Sequence, residues 1–143
     1  MKIYLNQVPA TGLSSEETFQ ASRFELDTED VTVAGPVTIG YSVFLEGEEL
    51  AARLAIHCLR RLVCARCLVQ FEDEFSKEAD LVYPIRGATE VDLTDDIRQE
   101  IVMEYPMKPL CRESCKGICP QCGQNLNEAG HSAQCVELRK AKQ

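Results

Sequence analysis

Tryptophan is absent from this 143-residue chain, and only nine residues are aromatic. The phenylalanines alternate with polar residues as core residues do, so the aromatic platform on which single-strand-binding proteins stack bases is not evident. The chain has two histidines, no Ser-His-Asp pattern and no phosphate-binding glycine loop, which argues against an enzyme. We therefore expect no catalytic residues and no small-molecule substrate.

Long apolar runs are also missing. No stretch approaches the roughly 20 apolar residues that a membrane-spanning helix needs. The first ten residues, which include Asn6 and Pro9, do not resemble a secretory signal. We therefore expect a cytoplasmic protein with no membrane partner. In that compartment thiols stay reduced, so grouped cysteines favour metal binding over a disulfide framework.

Positive charge is scarce in the first three-quarters of the chain. Residues 1–104 contain 9 Lys and Arg against 20 Asp and Glu, a net charge of −11, whereas residues 105–143 contain 6 against 3, a net charge of +3. The acidic mean field disfavours broad, non-specific binding to phosphate backbones. Such a chain can instead hold a basic protein, and can touch RNA through its basic parts alone.

The central residues predict an antiparallel sheet. Apolar residues alternate with polar ones at period two over 37–45, and Gly47 then supplies the permissive backbone of a hairpin turn. A second strand covers 50–62, with Arg60 interrupting its apolar row, and a third runs through 69–83. The pattern predicts an α+β fold in which an antiparallel β-meander of at least three strands fills the N-terminal two-thirds.

One helix is predicted near residues 94–104, with Thr94 as N-cap and an apolar face that covers the sheet. Pro106 ends it. Residues 1–105 then form a β-rich acidic domain, and residues 106–143 form a cysteine-rich, zinc-binding tail packed on the CxxC hairpin.

The N-terminal residues carry weaker patterns. Ile3 and Leu5 lie among polar residues and predict a short strand. Ser14 or Ser15 is a candidate cap for a short helical piece through Phe19.

Cysteine is the chain's most informative residue: eight are present, and five of them lie between residues 111 and 135. Two residues separate Cys119 from Cys122, so both thiolates can reach one ion, and Gly123 can take the positive φ of the turn that follows. Cys64 and Cys67 repeat this spacing. Zinc, which takes four tetrahedral ligands, is the expected cofactor, with one or two ions bound.

Three arrangements of these ligands are open. The first wraps one zinc in the four cysteines of residues 111–122, which is cramped. The second builds two sites: Cys64, Cys67, Cys111 and Cys115 form one, and Cys119, Cys122, Cys135 and His131 form the other. The third joins the pair at 64 and 67 to the pair at 119 and 122. The second is preferred because zinc sites more often join two close pairs from separate places, and it leaves out only Cys58, which lies on the apolar side of its strand.

Residues 50–71 contain four arginines and no acid. Arg53, His57 and Arg61 share one side of the predicted strand, and Arg66 lies inside the first CxxC pair. These four are candidate RNA-binding residues. The preferred alternative is that the arginines pair with the acids of residues 72–78 across the hairpin.

Two stretches resemble a known family. Residues 63–71, with Cys-Ala-Arg-Cys-Leu at 64–68, and residues 111–127, with Cys-Pro-Gln-Cys-Gly at 119–123, are similar to those of the YceD-type large ribosomal RNA subunit accumulation proteins of bacteria and plastids. The resemblance implies a non-enzymatic role in producing or keeping 23S-type ribosomal RNA. Members often end the tail with a Cys-x-Cys pair, whereas here Val136 follows Cys135, so His131 enters as a substitute ligand.

These features together predict a cytoplasmic, zinc-binding ribosome-biogenesis factor. Its expected partners are large-subunit ribosomal RNA or its precursors, a basic ribosomal protein, or both. A second hypothesis is a thiol–zinc redox switch or holdase chaperone, in which oxidant releases zinc and exposes apolar surface. A third, a small transcriptional regulator, predicts salt-sensitive DNA binding that the acidic charge disfavours.

Overall fold

The computed structural model describes residues 1–128 and Cys135. The chain divides into two compact units. Met1–Arg61 with Glu72–Tyr105 is here called the β unit, and Leu62–Phe71 with Pro106–Gln143 is called the cysteine unit. The division of the chain at residue 105 into two domains stays a prediction.

The described residues contain seven strands, one α-helix and two short 3-10 turns. The strands are β1 (Lys2–Tyr4), β2 (Leu13–Gln20), β3 (Val31–Val33), β4 (Pro36–Glu46), β5 (Glu49–Val63), β6 (Gln70–Pro84) and β7 (Glu90–Asp92). The helix is α1 (Thr94–Val102), and the 3-10 turns are Leu5–Gln7 and Ala21–Phe24.

β5 organises the five-stranded sheet, because it pairs with β4, β3 and β6, while β2 pairs with β4. β4 and β5 form an antiparallel hairpin in which Val43 lies opposite Ala52 and Ile39 opposite Ile56. Gly47 begins the turn with φ of 62°, a conformation that costs glycine little. The predicted meander of three consecutive strands is confirmed, and β1 and β7 pair in a separate two-stranded sheet.

The core of the β unit lies on one face of β4 and β5 under α1. Buried and exposed residues alternate along β5, and Leu54 and Ile56 are fully buried. Ile97 and Ile101, one helical turn apart on α1, are fully buried in the same cluster. Burying a side chain of this size stabilises the folded state by about 1.5–3 kcal/mol.

Arg60 interrupts the apolar row of β5 because it is a buried cation. It is 7% exposed, and its guanidinium carbon lies 4.6 Å from the centre of the Phe75 ring. Its Nε donates to the Asp73 carboxylate at 3.0 Å, and its Nη1 donates to the Glu104 carbonyl oxygen at 3.0 Å. A buried charge needs such partners, and they fasten the residues after α1 to the sheet.

The helical piece predicted after Ser14 or Ser15 was wrong, because these residues belong to β2. In β2, Ser14 lies opposite Ser42 and Thr18 opposite Thr38, and the Ser14 and Ser42 hydroxyls are 2.8 Å apart. β2 is an edge strand with most of its side chains in solvent. It therefore lacks the apolar alternation by which a strand is recognised.

The predicted N-cap of α1 was also wrong by one residue, because Leu93 occupies that position. Thr94 is the first residue of the helix, and its amide donates to the Asp92 carboxylate at 3.0 Å. Hydrogen bonds from Thr94 lower the pKa of Asp92, and this carboxylate also suits the positive end of the helix dipole. No helix among residues 1–128 is both long and apolar enough to cross a membrane.

Candidate metal centres

Four cysteine sulfurs meet in the cysteine unit. They belong to Cys64, Cys67, Cys111 and Cys115, and all lie within 4.8 Å of one another. The Cys64–Cys115 and Cys67–Cys111 sulfur distances are both 3.7 Å. A disulfide bond is about 2.05 Å long, whereas four sulfurs at about 2.3 Å around a tetrahedral zinc stand roughly 3.8 Å apart. The spacing therefore fits a shared ion and no sulfur–sulfur bond.

The first two cysteines are placed by a tight turn, the first knuckle, between the ends of β5 and β6. The Leu68 amide donates to the Cys64 carbonyl at 2.9 Å, and the Cys64 amide donates to the Val69 carbonyl at 3.0 Å. The Ala65 amide donates to the Pro109 carbonyl at 2.8 Å. These bonds turn both thiols to one side and hold the incoming tail beside them.

The segment after Cys115 is held against the first knuckle by its backbone. The Ile118 amide donates to the Arg66 carbonyl at 3.1 Å, and the Arg66 guanidinium donates to the Cys115 carbonyl at 3.0 Å. Gly117 has φ of 76°, and a Cβ there would lie 3.1 Å from the Arg66 carbonyl oxygen. Only glycine suits both the backbone angle and the close approach.

An apolar shell surrounds the four sulfurs. Cys64, Cys67 and Cys115 are buried, with Phe71, Leu110 and Ile118 packed around the cluster. Cys111 and the three packing residues are partly buried, so most of the cluster is shielded from solvent, as suits a structural metal site.

Asn127 supports the cluster from the side, and our sequence analysis assigned it no role. Its side-chain nitrogen lies 3.4 Å from the Cys115 sulfur, and its oxygen accepts the Lys116 amide at 2.9 Å. An amide donor beside a sulfur stabilises the thiolate and fixes its direction, as outer residues of metal sites do. No feature of the sequence distinguished this asparagine from Asn125. The Asn125 side-chain oxygen accepts a hydrogen bond from the Asn127 side-chain nitrogen at 2.8 Å.

The surroundings of the four thiols shift their pKa values in opposite directions: those of Cys64 and Cys115 are lowered, and those of Cys67 and Cys111 are raised. Burial raises the pKa of Cys64, but amides of Cys67, Cys111 and Arg66 outweigh it and lower that pKa to about 6. At Cys111, burial and hydrogen bonds with neighbouring thiols raise the pKa to about 12. Four adjacent thiolates repel one another unless a metal ion offsets their charge.

A second cluster contains Cys119, Cys122 and Cys135, whose sulfurs also lie within 4.8 Å of one another. The Cys119 and Cys135 sulfurs are 3.3 Å apart. Hydrogen bonds from the amides of Cys122 and Gln121 lower the pKa of Cys119 to about 6. His131, the predicted fourth ligand, lies outside the described residues.

The turn at Cys119 has the same construction as the first knuckle. The Gly123 amide donates to the Cys119 carbonyl at 2.8 Å, and the Cys119 amide donates to the Gln124 carbonyl at 2.9 Å. The two cysteine groupings are those of the second arrangement drawn from the sequence, and Cys58 is apart from both, buried in the β-unit core. Ligation by these residues, and zinc as the metal, stay predictions.

The four candidate RNA-binding residues fall in different surroundings. In the β unit, Arg53 is exposed and its Nε donates to Asp80 at 2.8 Å, Arg61 lies 3.4 Å from Glu72, and His57 is exposed. Arg53 and Arg61 thus have acidic partners across the hairpin. Arg66 lies in the cysteine unit and is exposed, and within residues 1–128 it forms no salt bridge.

Comparisons of the sequence with known proteins find relatives of this chain. A family model described as Large ribosomal RNA subunit accumulation protein YceD matches residues 70–141. A protein of Zea mays named Large ribosomal RNA subunit accumulation protein YCED homolog 1, chloroplastic, is 42% identical over 61 residues, which are 43% of this chain and 20% of that protein. No solved structure matches the chain.

Two mycobacterial relatives are uncharacterized proteins. The one from Mycobacterium tuberculosis is 35% identical over 96 residues, which are 55% of this chain and 46% of the relative. The one from Mycobacterium leprae is 31% identical over 121 residues, which are 76% of this chain and 49% of the relative. The chain spans about half the length of these relatives.

Proposed function

Because the chain belongs to the YceD family of large ribosomal RNA subunit accumulation proteins, we propose that it is a non-enzymatic, zinc-binding factor that supports the accumulation of 23S-type ribosomal RNA. The observation that carries the zinc part of this proposal is the cluster of four thiols at Cys64, Cys67, Cys111 and Cys115, with sulfur spacings of 3.7 Å. Four cysteine ligands fill a tetrahedral zinc, so no position is left for a reacting water.

In this proposal the metal is structural. When bound, zinc supplies folding free energy, since its ligands come from two stretches that are distant in the chain. Hydrogen-bond donors around the sulfurs assist against the effect of burial: backbone amides lower the pKa of Cys64, and the Asn127 side chain donates towards the Cys115 sulfur and lowers its pKa, so both favour the ionised form of a ligand. The second cluster would hold another zinc through Cys119, Cys122 and Cys135, with His131 as the proposed fourth ligand.

The two units differ in net charge, and this difference favours a different partner for each. The β unit contains 8 Lys and Arg against 20 Asp and Glu, a net charge of −12, and the cysteine unit contains 7 against 3, a net charge of +4. We assign a basic ribosomal protein to the β unit and ribosomal RNA to the cysteine unit, since each charge attracts its opposite. We place this activity in the cytoplasm.

Depletion of the protein in its own cells tests the proposed function. We expect the ratio of 23S-type to 16S-type RNA to fall, and to recover with the parent chain or with Cys58→Ser, whose thiol lies outside both clusters. A chain carrying Cys64→Ser and Cys67→Ser should not restore the ratio. An unchanged ratio on depletion would refute the proposal.

The redox-switch hypothesis stays a prediction that a separate measurement distinguishes. Mild peroxide added to the zinc-loaded protein should leave a structural zinc bound. Rapid zinc release with gain of client binding would favour the switch instead.

A further inference from the structure

The residue after each CxxC pair occupies the same backbone position in both knuckles. Leu68 follows Cys67 with φ of 60°, and Gly123 follows Cys122 with φ of 71°. The amide of each residue donates to the carbonyl oxygen of the first cysteine of its pair: Leu68 to Cys64 at 2.9 Å, and Gly123 to Cys119 at 2.8 Å. The turn therefore needs the left-handed conformation, which glycine adopts freely and a leucine rarely does.

Packing does not explain the leucine. Leu68 is 65% exposed and its neighbour Val69 is 42% exposed, so neither side chain gains full burial. An exposed apolar side chain on an unfavourable backbone conformation is a feature that clusters at binding sites. The described residues alone give no reason for leucine where the second knuckle has glycine.

Charge indicates what covers this tip, defined as Ala65–Val69. Arg66, two positions before Leu68, is exposed, and within residues 1–128 its guanidinium donates through Nη1 alone, to the Cys115 carbonyl. The unit that carries the tip has a net charge of +4 in a chain whose total is −8. A polyanion is attracted to this unit and repelled by the β unit, whereas a basic protein would prefer the β unit.

We propose that the tip of the first knuckle binds an unpaired stretch of large-subunit ribosomal RNA, with Leu68 packed against an unstacked base and Arg66 beside a phosphate. This inference rests on the proposed function and adds the contact point. Unpaired RNA is the form whose bases are free to pack on protein side chains, and an apolar side chain can insert where a base step opens.

Substitution at position 68 can separate binding from folding. Glycine suits the turn, as Gly123 shows, so Leu68→Gly should keep the zinc content and the midpoint of thermal unfolding of the parent. Filter binding to a radiolabelled transcript of large-subunit ribosomal RNA should show a Kd at least fivefold higher. Val82→Ala is the matched control, since Val82 is a 60% exposed apolar residue of the β unit, and its Kd should equal that of the parent.

The salt dependence of RNA affinity tests the proposed contact between Arg66 and a phosphate. Arg66→Gln should reduce the slope of log K against log salt concentration by about 0.7, the value for one phosphate of a single strand. Arg86→Gln removes an exposed arginine of the β unit that already lies 3.7 Å from Glu48, and should leave the slope unchanged. Unlabelled oligouridylate should compete with the transcript for the protein better than an RNA duplex of equal length does.

Two results would overturn the inference directly: a parent chain that does not bind the transcript, or a Leu68→Gly chain that binds it as tightly as the parent. Should Leu68→Gly lose zinc or unfold, Leu68→Asn replaces it, because asparagine also tolerates the left-handed conformation. Crosslinking from position 68 to a ribosomal protein and not to RNA would overturn it as well. Full rescue of 23S-type RNA levels by Leu68→Gly refutes the contact but leaves the proposed function intact, whereas an unchanged level on depletion refutes that function itself.

Discussion

The side-chain nitrogen of Asn127 lies 3.4 Å from the sulfur of Cys115, and it is the only side-chain amide within residues 1–128 that contacts the four-cysteine cluster. Donors of this kind stabilise a ligating thiolate and set its direction. The contact comes from a residue 12 positions further along the chain, so the tail supplies cysteines to the cluster and also a donor that supports one of them.

Asn127→Ala should weaken zinc binding at the first cluster. Loss of an outer hydrogen bond at a metal site typically lowers affinity by about 10–100-fold. Competition between the protein and a chromogenic chelator measures the change. Asn6→Ala, an exposed asparagine of the β unit, is the control and should match the parent. An affinity equal to that of the parent would show that Asn127 acts on the fold alone.

Zinc content should distinguish the two clusters. If each holds one ion, the parent contains two zinc ions per chain, and Cys64→Ser and Cys119→Ser each retain one. Cys58→Ser should retain both, since Cys58 lies in the β-unit core and in neither cluster. Elemental analysis of the purified chains gives the counts. A loss of all zinc in Cys64→Ser alone would instead indicate that the second cluster forms only after the first.

The parts of the structure that the sequence predicted are those that carry a local signal. The alternation over β4 and β5 identified the hairpin and its turn at Gly47, and the helix was placed within two residues of its observed end. The cysteine groupings followed from a preference for close pairs joined at a distance, which is a rule about metals and not about folds.

The features that the sequence analysis missed depend on contacts between distant residues. β2 is a strand because β4 pairs with it, and its own exposed side chains carry no periodic pattern. Arg60 looked like an interruption, because its partners are 13 and 44 residues further along the chain. The left-handed conformation of Leu68 was hidden for a different reason: leucine rarely adopts the conformation that its counterpart Gly123 adopts freely.

Arg60 is buried and Arg61 is exposed, so substitution of each tests how much a buried arginine contributes to the free energy of unfolding. Arg60→Met leaves Asp73 and the Glu104 carbonyl without their donor, so we expect the free energy of unfolding to fall by about 1–3 kcal/mol. Arg61→Met removes only an exposed pair with Glu72, at 3.4 Å, and should change it by less than about 0.5 kcal/mol. Urea unfolding of the two variants at equal zinc content measures the difference, and equal losses would contradict the role assigned to Arg60.

Tyr105 should make the β unit sensitive to alkali. Its hydroxyl donates to the Leu26 carbonyl at 2.6 Å, and burial raises its pKa to about 12. An unfolded tyrosine ionises near pH 10. The folded state therefore favours the neutral phenol, and this stability is complete below about pH 10 and is lost as the pH rises towards 12. Tyr105→Phe should be less stable than the parent by about 1 kcal/mol at pH 8, the net worth of one hydrogen bond. The difference in unfolding free energy should shrink above pH 10 and reverse in sign before pH 12, because the parent loses stability there while the phenylalanine chain has no proton to lose. Urea unfolding of both chains at pH 8, 10 and 11.5 measures it, and a difference that stayed constant over that range would show that the phenol ionises equally in both states.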